Sequence, residues 1–316
     1  MAFADTVLVT RGDIPLLKPS TIRSMTTLLE SLGADMVAVS NYAVCVFTRK
    51  TFDKFFRNVS DVSLKKQSLS GIKNKIIFKD YKEYEVRAVD SLKKLEKAAR
   101  TLQKRVNRKL AKNGVLIEDA KTAYIGIDAQ IAANTVIAPN TQIYGDSEIG
   151  ADCAIGPNTQ IYNALIGDRT TVSNSVVFDS VIGNGTNVGP FAYIRPHCVI
   201  GNFVKVGDFV EVKNSNIGDN TKMSHLTYIG DSDLGSRVNV GCGTVTVNYD
   251  GKNKHRTVIQ DNVFVGCNAN FVAPVTVGQG AFIAAGSTIT EDVPENALGI
   301  ARERQTNKTD WKGIQK

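Results

Sequence analysis

The sequence is poor in the residues that most often build a metal site, a disulfide framework or a membrane span. Its 316 residues include only five cysteines and three histidines. The cysteines are odd in number, scattered and free of CxxC pairs, which argues against a zinc or disulfide framework and favours reduced thiols in the cytoplasm. No apolar run approaches the ~18 residues of a membrane span, and no signal peptide follows Met1. We therefore expect a cytoplasmic protein without a membrane span.

Charge is distributed unevenly along the chain. The net charge is +7, and between about Arg49 and Lys112 basic residues outnumber acidic ones by roughly thirteen. Such a stretch could bind nucleic acid, but aromatic residues do not alternate with these charges and no RNA- or DNA-binding motif is present. We interpret the stretch as solvated helix surface and expect no nucleic-acid partner.

An aliphatic residue recurs at every sixth position from Ile125 to Ile161. The period slips near Leu165-Ile166, returns from Ile182 to Val212 and runs again from 259 to 289. A period of six fits neither a helix nor a single strand, and sandwich strands would be spaced less regularly, but a hexapeptide β-helix has this period. The sequence therefore predicts a mainly β protein with a C-terminal left-handed parallel β-helix, in which three hexads form one coil.

The pattern divides the chain into three parts: a truncated α/β domain (1–89), a linker helix (90–113) and the β-helix with its tail (114–316). In the first part we predict a strand at 6–10, a helix from Pro19 to Leu32, strands at 35–39 and 42–48 and a helix at 51–57, whereas 58–80 is ambiguous. The linker helix carries an apolar face and is expected to cover the open end of the β-helix.

Two segments interrupt the repeat, at 222–228 and at 247–258. Both are rich in polar and charged residues. In a solenoid, excursions of this kind are where function is most often located.

Several motifs in the repeat closely resemble one family. They are 209–213 (FVEVK), 225–231 (HLTYIGD), 238–241 (VNVG), 248–254 (NYDGKNK), 272–276 (VAPVT) and 284–288 (AAGST). The match runs nearly without gaps from about Gly114 to Trp311, and the NYDGxNK insertion is specific among hexapeptide proteins. On these residues the chain resembles the acetyltransferase domain of the bacterial bifunctional N-acetylglucosamine-1-phosphate uridylyltransferase/glucosamine-1-phosphate N-acetyltransferase.

The N-terminal part resembles the uridylyltransferase core of the same family at 5–9 (DTVLV) and 12–17 (GDIPLL). The Gly-rich LAAGxGTRM loop is absent, and so is the long sugar-binding segment between Val39 and Asn41. Asp13 matches the family's metal-binding aspartate, and Asp90 stands in place of its second metal ligand. Because a nucleotide triphosphate needs a phosphate loop, we interpret these aspartates as remnants of a Mg site and expect no uridylyl transfer; Mg would matter only for residual activity.

For the β-helix, the resemblance implies transfer of an acetyl group from acetyl-CoA to the amine of glucosamine 1-phosphate, a step towards UDP-N-acetylglucosamine and the cell wall. His225 matches the general base that deprotonates the amine, and Glu211 the carboxylate that orients it. Asn248 matches a residue that contacts the sugar and acetyl groups. No metal is required for this transfer.

The resemblance also implies sites for both substrates. Arg195 and Lys213 match the family's phosphate-binding pair, supported by Tyr228, Asn239 and Lys254. The oxyanion donor and the acetyl-CoA contacts fall on Cys242, Tyr249, Cys267, Ala285 and Arg302. The commonest family pattern has alanine at 242, so the larger thiol of Cys242 could crowd the acetyl group.

The active site of the family lies between the β-helices of a trimer, so the resemblance implies a homotrimer. We expect His225, Asn248, Lys213 and Arg195 to surround one cleft. Two alternatives remain open from the sequence: a non-catalytic trimeric scaffold or regulatory subunit, and an acetyltransferase for a different amino sugar.

Overall fold

The computed structural model describes residues 5–56, 69 and 71–311, and it divides the chain into two units, 1–102 and 103–316. The division falls within the longest helix, α3 (Leu92–Lys112), so the domain boundaries drawn from the sequence stay predictions. Within the described ranges, no helix combines the length and apolarity that crossing a bilayer requires.

The first unit is a small sheet with helices on both sides. Its strands lie in the order β1-β3-β2-β4, with β3 antiparallel to both neighbours and β4 parallel to β2. The elements are β1 (Thr6–Thr10), α1 (Pro19–Ser31), β2 (Met36–Val39), β3 (Val44–Thr48), α2 (Arg49–Phe56), β4 (Lys75–Phe78) and a 3₁₀ helix (Glu83–Val86).

These elements confirm the predictions for 6–10, 19–32, 35–39 and 42–48 to within two residues at each end. Helix α2 begins two residues before the predicted start, and residue 57 lies outside the described ranges, as does most of the ambiguous 58–80 segment. Within that segment Lys75–Phe78 forms a strand.

Both faces of the central strands are buried, because alternate side chains of a strand point to opposite faces. Val37 packs with Met25 and Leu29 of α1, whereas Met36 packs with Phe56 of α2 on the other face. The continuous apolar run of β2 and β3 reflects this two-sided cover.

The second unit is the predicted β-helix. Its short parallel strands form three sheets of nine, eleven and ten strands; strands three apart in the chain pair, except that the last strand, β34, pairs with β32. The strands are β5 (Leu116–Ile117), β6 (Tyr124–Ile125), β7 (Gln130–Ile131), β8 (Val136–Ile137), β9 (Gln142–Tyr144), β10 (Glu148–Ile149), β11 (Ala154–Ile155), β12 (Gln160–Tyr162), β13 (Leu165–Ile166), β14 (Thr171–Val172), β15 (Val176–Phe178), β16 (Val181–Ile182), β17 (Asn187–Val188), β18 (Tyr193–Ile194), β19 (Val199–Ile200), β20 (Lys205–Asp208), β21 (Glu211–Lys213), β22 (Asn216–Ile217), β23 (Lys222–His225), β24 (Tyr228–Gly230), β25 (Ser232–Leu234), β26 (Asn239–Val240), β27 (Val245–Val247), β28 (Thr257–Ile259), β29 (Phe264–Val265), β30 (Asn270–Val272), β31 (Val275–Val277), β32 (Phe282–Ile283), β33 (Thr288–Ile289) and β34 (Leu298–Gly299).

The six-residue period corresponds to the buried column inside the coils. The aliphatic residues at these positions are almost inaccessible to solvent and form one continuous core. The slip in the period is also explained: Ile149 pairs with Ile166, and Ile166 with Ile182, in steps of 17 and 16 residues. Regular coils take 18, as between Ile182 and Ile200, so two shortened coils shift the period without breaking the stack.

The C-terminal half of α3 covers the first coils, as predicted. Leu110 packs in the same apolar cluster as Ile125 and Ile131. The side-chain amide of Asn107 donates to the carbonyl oxygens of Ala120 and Ala123, at 3.1 and 3.3 Å. Apolar cover and satisfied carbonyls together protect an end of the solenoid that would otherwise be an open sheet edge.

Candidate active site

The residues singled out from the sequence lie at two corners of the β-helix, on either side of strand β24. His225 ends β23, three residues before β24 begins, and Asp231 directly follows β24. A three-residue strand spans about 10 Å at ~3.3 Å per residue. We call the corner of His225 the base corner and that of Asp231 the cation corner.

At the cation corner, Arg195 and Lys213 occupy the same position on successive coils. The N–H of Arg195 donates to the Val212 carbonyl at 2.8 Å, which sets this register. The guanidinium of Arg195 donates to Glu211 Oε1 at 2.9 Å. This hydrogen bond raises the pKa of Arg195.

Lys213 lies beside a second ammonium group, that of Lys254. Contact with Lys254 is the largest cause that lowers the pKa of Lys213, followed by burial, whereas Asp231, 3.9 Å from the Lys213 ammonium, acts in the opposite sense. Two cations held this close are repelled unless an anion lies between or beside them. Arg195 also acts on Lys213 electrostatically, so the corner concentrates three positive charges.

Tyr228 borders the same corner from above. Its phenol lies over Gly230, where an added Cβ would be 2.3 Å from the Tyr228 hydroxyl oxygen. Gly230 is in register with Lys213 on the coil before it. A glycine is therefore required here so that the phenol can approach the cations.

Asp231 organises the cation corner from within. It is 5% exposed and lies between Asn214 on the coil before and Asn248 on the coil after. It accepts a hydrogen bond from the Asn214 amide at 2.5 Å and another from the Asn248 amide. Burial opposes ionisation, but these two bonds and the charges of Lys213 and Lys254 outweigh it and lower the pKa of Asp231. Because Asn248 donates to Asp231, its carbonyl oxygen faces away from that carboxylate.

The predicted insertion is confirmed as a loop between β27 and β28, and it closes on itself. Tyr249 and Lys254 form an antiparallel bridge, and the Asp250 carboxylate accepts the backbone N–H groups of Lys252 and Asn253, at 2.8 and 2.6 Å. These N–H groups, with the His255 ring at 2.8 Å, lower the pKa of Asp250 to about 2. The loop thus has a defined shape that delivers Lys254 to the cation corner.

Arg256 anchors the end of this loop to the coil before it. Its guanidinium forms a fork with Asp233, at 2.8 and 2.6 Å, and reaches the carbonyl oxygens of Asn214 and Ser232, at 3.2 and 3.1 Å. Neither Arg256 nor Asp233 was expected from the sequence to act at the site. Their roles follow from the insertion itself, which needs an anchor where it rejoins the coil.

At the base corner, His225 is 55% exposed on its side chain, and its Nδ1 lies 2.5 Å from Asp208 Oδ1. The expected partner was Glu211, and this expectation is wrong for the structure: Glu211 binds Arg195 instead. The register gives the reason, because Asp208 pairs with His225 on adjacent coils, whereas Glu211 pairs with Tyr228 in another sheet. Counting one 17-residue coil back from His225 would have found Asp208.

The residues expected to contact acetyl-CoA lie along the base corner, on the coils that follow the coil of His225. Register pairs Met223 with Val240, Val240 with Val265, and Val265 with Ile283. The residues two positions after these core residues form a column along the base corner. This column consists of His225, Cys242, Cys267, Ala285 and Ala301.

Cys242 is half-buried, whereas Cys267 and Ala285 are exposed. Arg302 directly follows the column and lies beside Gly286. Four strand spacings of about 4.8 Å separate the level of His225 from that of Ala301, about 19 Å in all. The base corner is therefore a long edge with a histidine at one end and an arginine at the other.

The Cys242 backbone is placed to donate a hydrogen bond. The N–H groups on either side, of Gly241 and Gly243, bind the carbonyl oxygens of Val265 and Leu226 at 2.9 and 3.0 Å. Across the part of the chain that the structure describes, no intramolecular acceptor is found for the N–H of Cys242. Within the described residues, this N–H is therefore available to an acceptor outside the chain.

The structure does not bring all the expected residues together. Asn239 lies on β26, in the eleven-stranded sheet and in register with Lys222 and Phe264, and not on the sheet that carries the cations. Tyr249 is exposed and donates its hydroxyl to the Gly251 carbonyl at 2.7 Å. Arg195, Lys213, Tyr228, Lys254 and Asn248 meet at the cation corner. His225 ends β23 at a different corner, so within one chain the expected single cleft around His225, Asn248, Lys213 and Arg195 is not found.

In the first unit, the residues expected from a Mg site do not fit a divalent cation. Arg11 Nε donates to Asp13 Oδ1 at 2.9 Å, and its guanidinium also holds the other oxygen. Lys94 binds the Asp90 carboxylate at 2.6 Å and lowers the pKa of Asp90. Both carboxylates are neutralised by cations of the chain itself, which competes with metal binding.

Comparison with known proteins supports the resemblance noted in the sequence. Residues 112–217 match the family model described as GMPPB C-terminal domain, and residues 256–291 match that of the bacterial transferase hexapeptide (six repeats). The bifunctional protein GlmU of Clostridium kluyveri is 53% identical over 235 residues, which are 73% of this chain and 52% of that protein. GlmU of Acetivibrio thermocellus is 54% identical over 227 residues, 72% of this chain and 49% of that protein.

The chain thus spans about half the length of the curated relatives it matches, and over most of its own length it is similar in sequence to bifunctional GlmU proteins. Among solved structures, the UDP-N-acetylglucosamine acyltransferase LpxA of Bacteroides fragilis aligns with a TM-score of 0.45 and 21% identity, covering 56% of this chain and 69% of that one. A likeness of this strength does not bear on the activity.

Proposed function

We propose, on this similarity to bifunctional GlmU proteins, that the β-helix transfers the acetyl group of acetyl-CoA to the amine of glucosamine 1-phosphate. The observation that carries the proposal is the alignment of His225, Cys242, Cys267 and Ala285 along one edge, with three clustered cations at the neighbouring corner. A phosphate and a coenzyme need separate sites, and the two corners are separate.

The sugar phosphate is assigned to the cation corner. Arg195 offers a planar fork for phosphate oxygens and Lys213 with Lys254 offers point charges. An anion there relieves the repulsion that lowers the pKa of Lys213. The Asn248 carbonyl faces the ligand side of this corner and suits an amine or hydroxyl donor of the sugar.

Acetyl-CoA is assigned to the base corner. The edge of about 19 Å accommodates an extended pantetheine arm, with Arg302 at the end where phosphates would lie. The exposed side chains of Cys267 and Ala285 border this path. With the thioester at the level of Cys242, the N–H of that residue is placed to stabilise the oxyanion of the tetrahedral intermediate.

The chemistry then needs a base at the amine. His225 Nε2 takes a proton from the sugar amine while nitrogen forms a bond to the thioester carbon; the carbon–sulfur bond breaks, and the sulfur leaves with a proton. A general base of this kind contributes about 10²–10⁴-fold to the rate.

The direct test is thiol release from acetyl-CoA with glucosamine 1-phosphate, run beside His225→Ala and Lys213→Ala. We expect His225→Ala to lower kcat by about 10²–10⁴-fold, and Lys213→Ala to raise the KM for the sugar phosphate roughly 10- to 100-fold, since a charge-assisted bond contributes about 1.5–3 kcal/mol. No thiol release by the unaltered chain, with acetyl-CoA still bound, would direct attention to another amino sugar. Failure to bind acetyl-CoA would favour the scaffold hypothesis.

We further propose that the first unit carries out no uridylyl transfer, in line with the neutralised carboxylates of Asp13 and Asp90. Consumption of UTP in the presence of Mg²⁺ and N-acetylglucosamine 1-phosphate would contradict this.

A homotrimer is also proposed. Its support in the fold is that Asn239 and His225 lie in the eleven-stranded sheet, whereas Lys213 and Tyr228 lie in the ten-stranded one, so a second copy can bring residues of the two sheets to one site. A mass in solution of about three times 34.2 kDa is expected by light scattering, and a monomer would contradict the proposal.

A further inference from the structure

A carboxylate with no assigned role lies directly beneath the proposed base. Asp208 ends β20 and His225 ends β23, and the two residues are paired in register on neighbouring coils. Their side chains meet at 2.5 Å between Asp208 Oδ1 and His225 Nδ1. Because Asp208 contacts Nδ1, Nε2 is the ring nitrogen that faces away from Asp208.

The backbone leaves little freedom in this pairing. The N–H of Leu226 donates to the Asp208 carbonyl at 2.9 Å. Gly207, beside Asp208, has no room for a side chain, because a Cβ there would be 2.0 Å from the carbonyl oxygen of Ser224. The two coils are therefore in close contact at the very residues that precede the aspartate and the histidine.

The ionisation of Asp208 decides which ring nitrogen of His225 carries the proton. The hydrogen bond from His225 lowers the pKa of Asp208, and the nearby charge of Lys205 acts in the same sense. An ionised carboxylate can only accept, so the imidazole donates through Nδ1–H. The neutral ring then carries its lone pair on Nε2, and this is the tautomer that can take a proton from a substrate.

We propose that Asp208 is the positioning residue of the acetyl transfer, and that it, rather than Glu211, fixes the tautomer and orientation of His225. The inference rests on the proposed function. In the step, Nε2 receives the amine proton as the new N–C bond forms; the imidazolium keeps its Nδ1–H on Asp208, which stays ionised, and Nε2 returns the proton to the departing sulfur as the C–S bond breaks.

The kinetic test compares Asp208→Asn with two matched variants. Asp208→Asn keeps the shape but removes the charge, and its side chain can donate to Nδ1 and so hold the wrong tautomer. We expect kcat to fall about 10- to 100-fold, a part of what a general base contributes, with both KM values within about twofold. Asp219→Asn, the same change at a corner aspartate that accepts a bond from Asn202, is expected to leave both parameters unchanged.

Glu211→Gln separates the two carboxylates. Because Glu211 binds Arg195, we expect Glu211→Gln to raise the KM for the sugar phosphate and to leave kcat unchanged. A kcat loss in Glu211→Gln together with a normal Asp208→Asn would overturn the inference and restore Glu211 as the orienting residue, while leaving the acetyltransferase function intact.

A second measurement does not depend on turnover or on how well a variant folds. The ¹⁵N shifts of the His225 ring in the unaltered free protein report the tautomer, and we expect Nδ1 protonated and Nε2 unprotonated at a pH where the ring is neutral. The opposite tautomer would overturn the inference. Absence of any thiol release from the unaltered protein would instead overturn the proposed function, and the role of Asp208 with it.

Discussion

Removal of the buried carboxylate at the cation corner, by Asp231→Ala, tests how that corner is held together. Asp231 accepts hydrogen bonds from the amides of Asn214 and Asn248. A bond to a charged group contributes about 1.5–3 kcal/mol, so losing both costs about 3–6 kcal/mol. Breaking buried charged pairs in other proteins costs about 3–5 kcal/mol, which agrees.

The chain offers a closely matched control in Asp179→Ala. Asp179 also occupies a corner with left-handed backbone, at φ 44° against 49° for Asp231, and accepts an amide bond from Asn163 at 3.1 Å. It is exposed, however. Both variants pay the cost of alanine in a left-handed conformation, about 1–2 kcal/mol. The difference between them therefore isolates the buried hydrogen bonds.

Thermal unfolding at one fixed scan rate is the assay. A loss of 1 kcal/mol lowers Tm by about 2–4 °C in a domain of this size, so Asp231→Ala is expected to melt about 6–24 °C below the Asp179→Ala control. At temperatures where Asp231→Ala is still folded, this variant should also bind the sugar phosphate more weakly, because Asn248 and Lys213 lose their shared partner. Equal melting of the two variants would refute the account of Asp231 as the organiser of the corner.

Three further outcomes are expected. Ile194→Ala empties a fully buried position of the inner column and should destabilise the fold by about 2–5 kcal/mol; a change below 1 kcal/mol in denaturant unfolding would contradict the packing described. Gly207→Ala places a Cβ 2.0 Å from the Ser224 carbonyl oxygen. It should lower the free energy of unfolding by about 1–3 kcal/mol and should also lower kcat; a variant with normal Tm and kcat would show that the coils can separate freely. Burial raises the pKa of Cys45 to about 12, so at pH 8 a thiol reagent should label the exposed Cys267 long before Cys45, and acetyl-CoA should slow the labelling of Cys267 if the coenzyme follows the base corner.

The architecture of the second unit was readable from the sequence, because one repeated environment dictates it. Ile137, Ile155 and Ile194 all face the same apolar interior, and nothing but a stack of coils gives that period. The first unit was readable to within two residues in most elements for a different reason: β2 is fully apolar, β1 and β3 add only threonine to apolar residues, and Pro19 and Gly33 mark the ends of a helix.

The partners within the site were harder to predict, because neighbours in a solenoid are separated by a coil length that varies. Glu211 is 14 residues before His225 and Asp208 is 17, and only the register decides which of them stacks beneath the ring. Asp231 ends the HLTYIGD motif, but the motif alone indicates no role for it, since its importance comes from Asn214 on the coil before and Asn248 on the coil after. These are contacts across three coils that no local pattern marks.

The insertion shows how the fold adds a function without losing its register. Between Cys242 and Cys267 the chain takes 25 residues instead of about 18, yet Val240 still pairs with Val265. The extra residues leave the stack at the cation corner, between β27 and β28, and Arg256 fastens their return to Asp233. The base corner therefore continues unbroken along the path proposed for the coenzyme, while the cation corner gains Lys254. A single loop can thus alter the sugar-phosphate site without moving the edge assigned to acetyl-CoA, which explains how acceptor and donor sites could change independently on this scaffold.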